Sequence, residues 1–142
     1  FMGRAHSNAF IDVPHFFDLP YRPVLSVACG RNAADLQKFA QQFGWQNTET
    51  SWERMLQRDD VDLVDICTSN LTHKDIAVAA AKAGKHIFTE KALCPTVAEC
   101  LDVKKAVEEA GVTFCISYPQ RGRPSVQFAK RMLCTRAEWM RC

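Results

Sequence analysis

The feature that most constrains this chain is a regular alternation of short apolar runs with longer stretches of helical periodicity. VLSVAC (24–29), VDLVDIC (61–67), HIFT (86–89) and VTFCISY (112–118) are nearly continuous apolar runs. Such runs suit strands buried on both faces of a sheet. Between them lie segments with helix start and stop signals. Asn32 stands before an apolar stripe of Leu36, Phe39, Ala40 and Phe43, which Gly44 closes. Thr50 with Glu53 and Thr96 with Glu99 have capping-box spacing, and Thr72 with Asp75 marks a further start that Gly84 ends. A helix over the first residues is predicted with Ala5, Ala9 and Val13 on its apolar stripe, and one from Pro124 with Val126, Ala129 and Leu133. A short strand is expected at 46–48. The connections are too long for hairpins, so the strands are expected to run parallel in right-handed βαβ units. The predicted fold class is α/β, a doubly wound parallel sheet of the Rossmann type.

Composition narrows the function classes. The 142 residues carry a net charge of +2, with no run of like charges. Arg121, Arg123, Lys130 and Arg131 are few and lack interleaved aromatics, so no nucleic-acid partner is expected. No apolar run approaches the roughly 20 residues of a membrane span, so no membrane partner is expected. The seven cysteines include no CxxC pair. Linear spacing therefore offers no zinc motif, no metal is expected, and a reducing, cytoplasmic compartment is the default.

A dinucleotide fold opens with a strand, a G-x-G-x-x-G loop and a helix. Gly3 heads the first helix and fits the last glycine of that loop, where a missing side chain permits close helix–strand packing. The first strand and first two glycines are expected to lie outside this sequence. In the strand order 3-2-1-4-5-6 that strand is central. Its neighbours would lose a backbone partner at about 1–3 kcal/mol per unsatisfied group, so the chain alone is expected to be unstable. At the end of the second strand, NAD-specific domains carry a carboxylate for the ribose. Here Cys29, Gly30, Arg31 and Asn32 occupy that place. Gly30 leaves room and Arg31 offers donors suited to a 2′-phosphate, against the plain alternative of a turn and a solvated charge. The cofactor expectation is NADP or NAD, with NADP favoured.

GRAHSNAF at the first helix, VDLVDICTSNLTH, AAKAGKHIFTEKAL and SYPQRGRP together carry a resemblance. The chain resembles the Gfo/Idh/MocA family of sugar and cyclitol oxidoreductases to about Leu133. The resemblance implies a partial cofactor-binding domain over 1–133 and an unmatched tail over 134–142. A C-terminal substrate domain, holding a catalytic histidine and aspartate, is expected outside this sequence. It implies a parent enzyme that is NAD(P)-dependent, acts on CH–OH groups of a polyol or sugar, and is a homo-oligomer. Thr68, Asn70 and His73 match the family's cofactor loop, Glu90 and Lys91 its Glu-Lys-Pro motif, and Tyr118, Arg121 and Pro124 its motif after the sixth strand. Lys91 is the catalytic candidate, since an ammonium near the reacting hydroxyl stabilises alkoxide charge. Gly3, Gly30, Arg31, Thr68, Asn70, His73, Glu90 and Arg121 are the cofactor candidates. The chain departs from the pattern at Ser69, Ala92 and Pro119. Ala92 replaces a proline, so a trans bond is expected there and Lys91 is expected to point differently. Pro119 removes an amide that could reach the cofactor. The alternative is a non-catalytic nucleotide-binding or scaffolding module, or an inactive fragment.

Three further groups have plain structural readings. Asp62 and Asp65 differ by three positions and face opposite ways on a strand. His86 is expected as a satisfied residue at the core's edge, and Trp45 and Trp52 as core aromatics.

Overall fold

The structure, a computed structural model, describes residues 1–134, with the side chain of Cys134 and residues 135–142 outside the description. The elements run α1 (Met2–Phe16), β1 (Val27–Cys29), α2 (Ala33–Phe43), β2 (Asn47–Glu49), α3 (Trp52–Leu56), β3 (Leu63–Ile66) and α4 (Asn70–Lys82). β4 (His86–Glu90), α5 (Val97–Ala110), β5 (Phe114–Ser117), α6 (Pro119–Gly122) and α7 (Pro124–Cys134) follow. All pairings are parallel. β1 pairs β2 in register Val27 with Asn47, and β4 pairs β3 and β5 on its two sides. The described strands thus form two ladders, β1-β2 and β3-β4-β5. β1 and β3 share no ladder hydrogen bonds, as expected of two strands that flank a third in the 3-2-1-4-5-6 order.

Side chains join the two ladders. Val27 of β1 belongs to the same buried cluster as Val61, Val64 and Ile66. Ser26 Oγ donates to Asp60 Oδ2 at 2.8 Å, just before each strand begins. The core lies mainly between β3, β4 and the two helices α4 and α5. Ala77, Ala80 and Ala81 are fully buried there with Ile87 and Val103. Small alanine side chains let α4 approach the sheet closely. A second cluster, Ala28, Leu36 and Ala40, packs with Phe39 and Trp45 under α2.

Several helix starts follow the sequence reading and two do not. Asn32 caps α2 by accepting from Ala34 N and Asp35 N, and Gly44 ends it at φ 75°. Thr96 and Glu99 form a full capping box on α5. For α3, however, the cap is Ser51, not Thr50. Its hydroxyl accepts from Arg54 N and donates to Glu53 Oε2, so Glu53 serves the later residue. α4 begins at Ser69, not Thr72, because Thr72 Oγ1 instead donates back to the Ser69 carbonyl.

α1 turns a different face inward from the one expected. Of the expected stripe Ala5 and Ala9 are exposed and Val13 is partly covered, whereas Ser7 is fully buried and Gly3, Phe10 and Pro14 are partly covered. Polar contacts set this rotation: Trp45 Nε1 donates to Ser7 Oγ, and His6 meets two carboxylates. β1 is shorter than its apolar run, since Ser26 N turns onto the Val24 carbonyl and Val24 is exposed. The predicted stripe of α7 is also exposed at Val126 and Leu133.

Candidate functional site

Parallel strands place their carboxyl ends together at one edge of each ladder, and ligands of such sheets bind outside those ends. The β1 end carries Gly30 and Arg31. Gly30 N donates to the Glu49 carbonyl at 3.1 Å, which extends the ladder past β1. A Cβ at Gly30 would meet only Leu36 Cδ1, at an ordinary contact distance of 3.4 Å, so packing against α2 does not by itself demand a glycine there. Arg31 is exposed. At Gly3 an added Cβ meets nothing within 4 Å. No described residue outside its own helix makes the close approach expected of it.

The β3 end carries Thr68, Ser69 and Asn70, all exposed. Thr72 Oγ1, whose hydrogen goes to the Ser69 carbonyl, lies 2.8 Å from Thr68 Oγ1 and accepts from that hydroxyl, which stiffens this loop. His73 lies beneath it, only 1% exposed. Its Nδ1 is 3.1 Å from the Ala92 and Leu93 carbonyls, and its Nε2 is 3.2 Å from the Thr68 carbonyl. Both ring nitrogens are thus engaged by backbone, and the ring ties the loop after β3 to the loop after β4.

That second loop carries Glu90 and Lys91. The Lys91–Ala92 peptide bond is cis, contrary to the trans bond expected of an alanine. The two carbonyls that face His73 are those of Ala92 and Leu93, on the far side of that bond. Lys91 is exposed, and its ammonium has no ion pair among the described residues. Glu90 is buried. Its Oε2 accepts from Lys91 N at 3.2 Å, and its Oε1 lies 3.1 Å from His6 Nε2. Burial pushes its carboxyl up, but hydrogen bonds from the Ser117 hydroxyl, Lys91 N and His6 outweigh this and hold it below the ordinary carboxylate range. An ionised Glu90 only accepts, so His6 Nε2 donates to it.

His6 and Asp65 were not among the expected site residues. His6 Nδ1 lies 2.9 Å from Asp65 Oδ2 and 3.2 Å from Cys67 Sγ. Burial raises the Asp65 carboxyl despite its hydrogen bond to His6. Burial, and then the neighbouring Asp65, push the Cys67 thiol far up. The sequence signal was weak: a histidine on a helix 59 residues from its aspartate. Beyond β5, Tyr118 is half exposed, and Arg121 is exposed on α6, its backbone N donating to the Tyr118 carbonyl. Pro119 opens α6, where no amide is needed.

The sequence model of the oxidoreductase family with an NAD-binding Rossmann fold, Gfo/Idh/MocA, matches residues 1–118. The chain belongs to this family. It is similar to levoglucosan dehydrogenase of Pseudarthrobacter phenanthrenivorans, 37% identical over 134 residues, which cover 94% of this chain and 34% of that protein. Inositol 2-dehydrogenase of Salmonella typhimurium is 36% identical over 88 residues, covering 62% of this chain and 25% of the relative. Among solved structures, an oxidoreductase domain protein from Kribbella flavida superposes with a TM-score of 0.89 at 43% identity, covering 95% of this chain and 37% of that one. Levoglucosan dehydrogenase in complex with NADH and levoglucosan superposes equally well, at 36% identity and the same coverage. The matched stretch spans between a quarter and somewhat over a third of these proteins. It is an NAD-binding Rossmann domain of this oxidoreductase family.

Proposed function

We propose that residues 1–133 are the cofactor-binding domain of an oxidoreductase that moves hydride between a nicotinamide cofactor and a hydroxyl-bearing carbon of a sugar, cyclitol or related polyol, with 134–142 a tail outside the domain. The observation that carries this reading is Lys91. It stands at the carboxyl end of β4, the middle strand of its ladder, its ammonium free of ion pairs among the described residues and its backbone N donating to the buried Glu90. The relatives named for levoglucosan and inositol, and the structure with NADH and levoglucosan, support the substrate class. The donor set fits a dinucleotide. Arg31, Thr68, Asn70 and Arg121 are exposed beyond the strand ends, and Gly30 leaves the turn after β1 without a side chain. When bound, the nicotinamide accepts or returns the hydride.

In this reading Lys91 donates a hydrogen bond to the substrate oxygen and stabilises its developing negative charge. The hydroxyl proton passes to a base that the family resemblance assigns to a second domain. Gly30 and Arg31 receive the adenosine ribose, and Arg31 pairs a 2′-phosphate, which favours NADPH over NADH. Thr68 and Asn70 line the cofactor, and His73 acts by fixing the two loops that hold Asn70 and Lys91. The parent is a homo-oligomer acting in a reducing, cytoplasmic compartment. The free Cys29, Cys67, Cys94, Cys100 and Cys115 accord with that compartment.

The test is calorimetric titration of the chain with NADPH and with NADH, alongside Arg31→Ala. Saturable binding, tighter for NADPH and equalised in the variant, is the expected result. Tighter NADH binding sinks the NADP preference. A folded chain that binds neither cofactor overturns the reading in favour of a non-catalytic module.

A further inference from the structure

We propose that His6, Asp65 and Cys67 form a site for a soft divalent cation of the zinc type, with Glu90 holding the histidine ring in place. The site does not depend on the cofactor reading. Its three donor atoms, one nitrogen, one oxygen and one sulfur, come together from α1, β3 and the residue that follows β3, and lie within 4.8 Å of one another. His6 Nδ1 is 3.0 Å from Asp65 Oδ1 and 3.2 Å from Cys67 Sγ, and Cys67 Sγ is 3.5 Å from the same Asp65 Oδ1. Zinc bonds of about 2.0–2.3 Å in a tetrahedron set neighbouring donors roughly 3.3–3.7 Å apart. The three atoms therefore already outline one face of such a tetrahedron, drawn in slightly by the hydrogen bonds they now share.

The other side of the ring carries the second requirement of a metal site. Histidines that bind metals almost always donate their remaining N–H to a carboxylate or carbonyl, which fixes the tautomer and the ring plane. His6 Nε2 lies 3.1 Å from Glu90 Oε1, and that contact directs the Nδ1 lone pair toward Asp65 and Cys67. Phe88 packs against the same ring at 5.4 Å between centroids and limits its rotation. Charge points the same way. Two carboxylates and a thiol surround a single imidazole, and their side chains are largely buried. A divalent cation is balanced there by the Asp65 carboxylate and by the thiolate that Cys67 becomes on binding.

Sulfur together with imidazole selects zinc over magnesium or calcium, which prefer all-oxygen shells. Binding needs no redox partner. Cys67 gives up its S–H proton to solvent and forms a sulfur–metal bond, and any proton held between His6 and Asp65 leaves likewise. Three protein donors leave one tetrahedral position for water.

The experiment titrates the purified full chain with Zn²⁺ by calorimetry, and with Co²⁺ by absorbance. The expected result is one saturable site per chain and a thiolate-to-cobalt charge-transfer band. Cys67→Ser abolishes the band, and Glu90→Gln weakens binding by about 10–100-fold. Cys115→Ser changes neither. Absence of saturable binding overturns the proposal. So does a cobalt spectrum without the thiolate band in the unmutated chain, a readout that holds whether or not the variants fold. Binding that survives His6→Ala and Cys67→Ser alike places the cation elsewhere and also overturns it.

Discussion

Trp45 Nε1 donates to Ser7 Oγ at 3.1 Å, and Ser7 passes its own hydrogen to the Gly3 carbonyl at 2.7 Å. One buried hydroxyl thus anchors α1 to the loop after α2 and sets which face of α1 turns inward. Ser7→Ala strands the indole N–H, which costs about 1–3 kcal/mol. Urea unfolding in the cold, followed by tryptophan fluorescence, is expected to show that loss. An unchanged midpoint would mean that α1 is held by other contacts.

Thr96 and Glu99 satisfy two backbone donors at the start of α5. Thr96→Ala is expected to cost about 0.5–2 kcal/mol, and Thr96→Ser to restore most of it. Equal losses in both variants would assign the effect to the threonine methyl instead of the cap.

Asp60 is held well below the ordinary carboxylate range, first by Arg58 and then by Ser26. A carboxyl depressed by folding contributes stability that is present above its unfolded value of about 4 and is lost as pH falls toward the folded value. Asp60→Asn removes that contribution. The original chain and the variant should differ most at neutral pH and converge in acid. Parallel pH profiles of the unfolding midpoint would contradict this assignment. Since Ser26 precedes β1 and Asp60 precedes β3, the same variant also reports on the link between the two ladders.

The cysteines should separate by reactivity. Burial, with Cys100 beside it, pushes the Cys94 thiol up to about 11. At pH 8 only roughly a thousandth of such a thiol is thiolate, the reactive form. Exposed Cys115 should be alkylated well before Cys94 or Cys67 in a mass-spectrometric time course. Early labelling of Cys94 would show that α5 opens readily.

Lys91→Ala in the parent enzyme is expected to lower kcat by about 100-fold or more while changing nicotinamide affinity little, because the ammonium acts on the reacting oxygen. A loss confined to cofactor affinity would make Lys91 a binding residue.

Local signals were enough to establish the alternation of strand and helix, the parallel sheet and the loop that ends in Lys91. Apolar run length, caps such as Asn32 and Thr96, and stops such as Gly44 and Gly111 act over a few residues, so they are legible in order along the chain. The motif around Glu90 and Lys91 was likewise contiguous. What tertiary structure alone decided were the contacts between distant residues. The inward face of α1 follows Ser7 and His6 instead of the alanine stripe, because hydrogen bonds to Trp45, Asp65 and Glu90 outweigh the small gain from burying two methyl groups. The rings of His6 and His73 took their roles from carboxylates and carbonyls brought to them by folding. No spacing rule along a chain reaches a partner 59 or 84 residues away; only the packing of α1 against the strand ends puts those groups within 3 Å or so of one another.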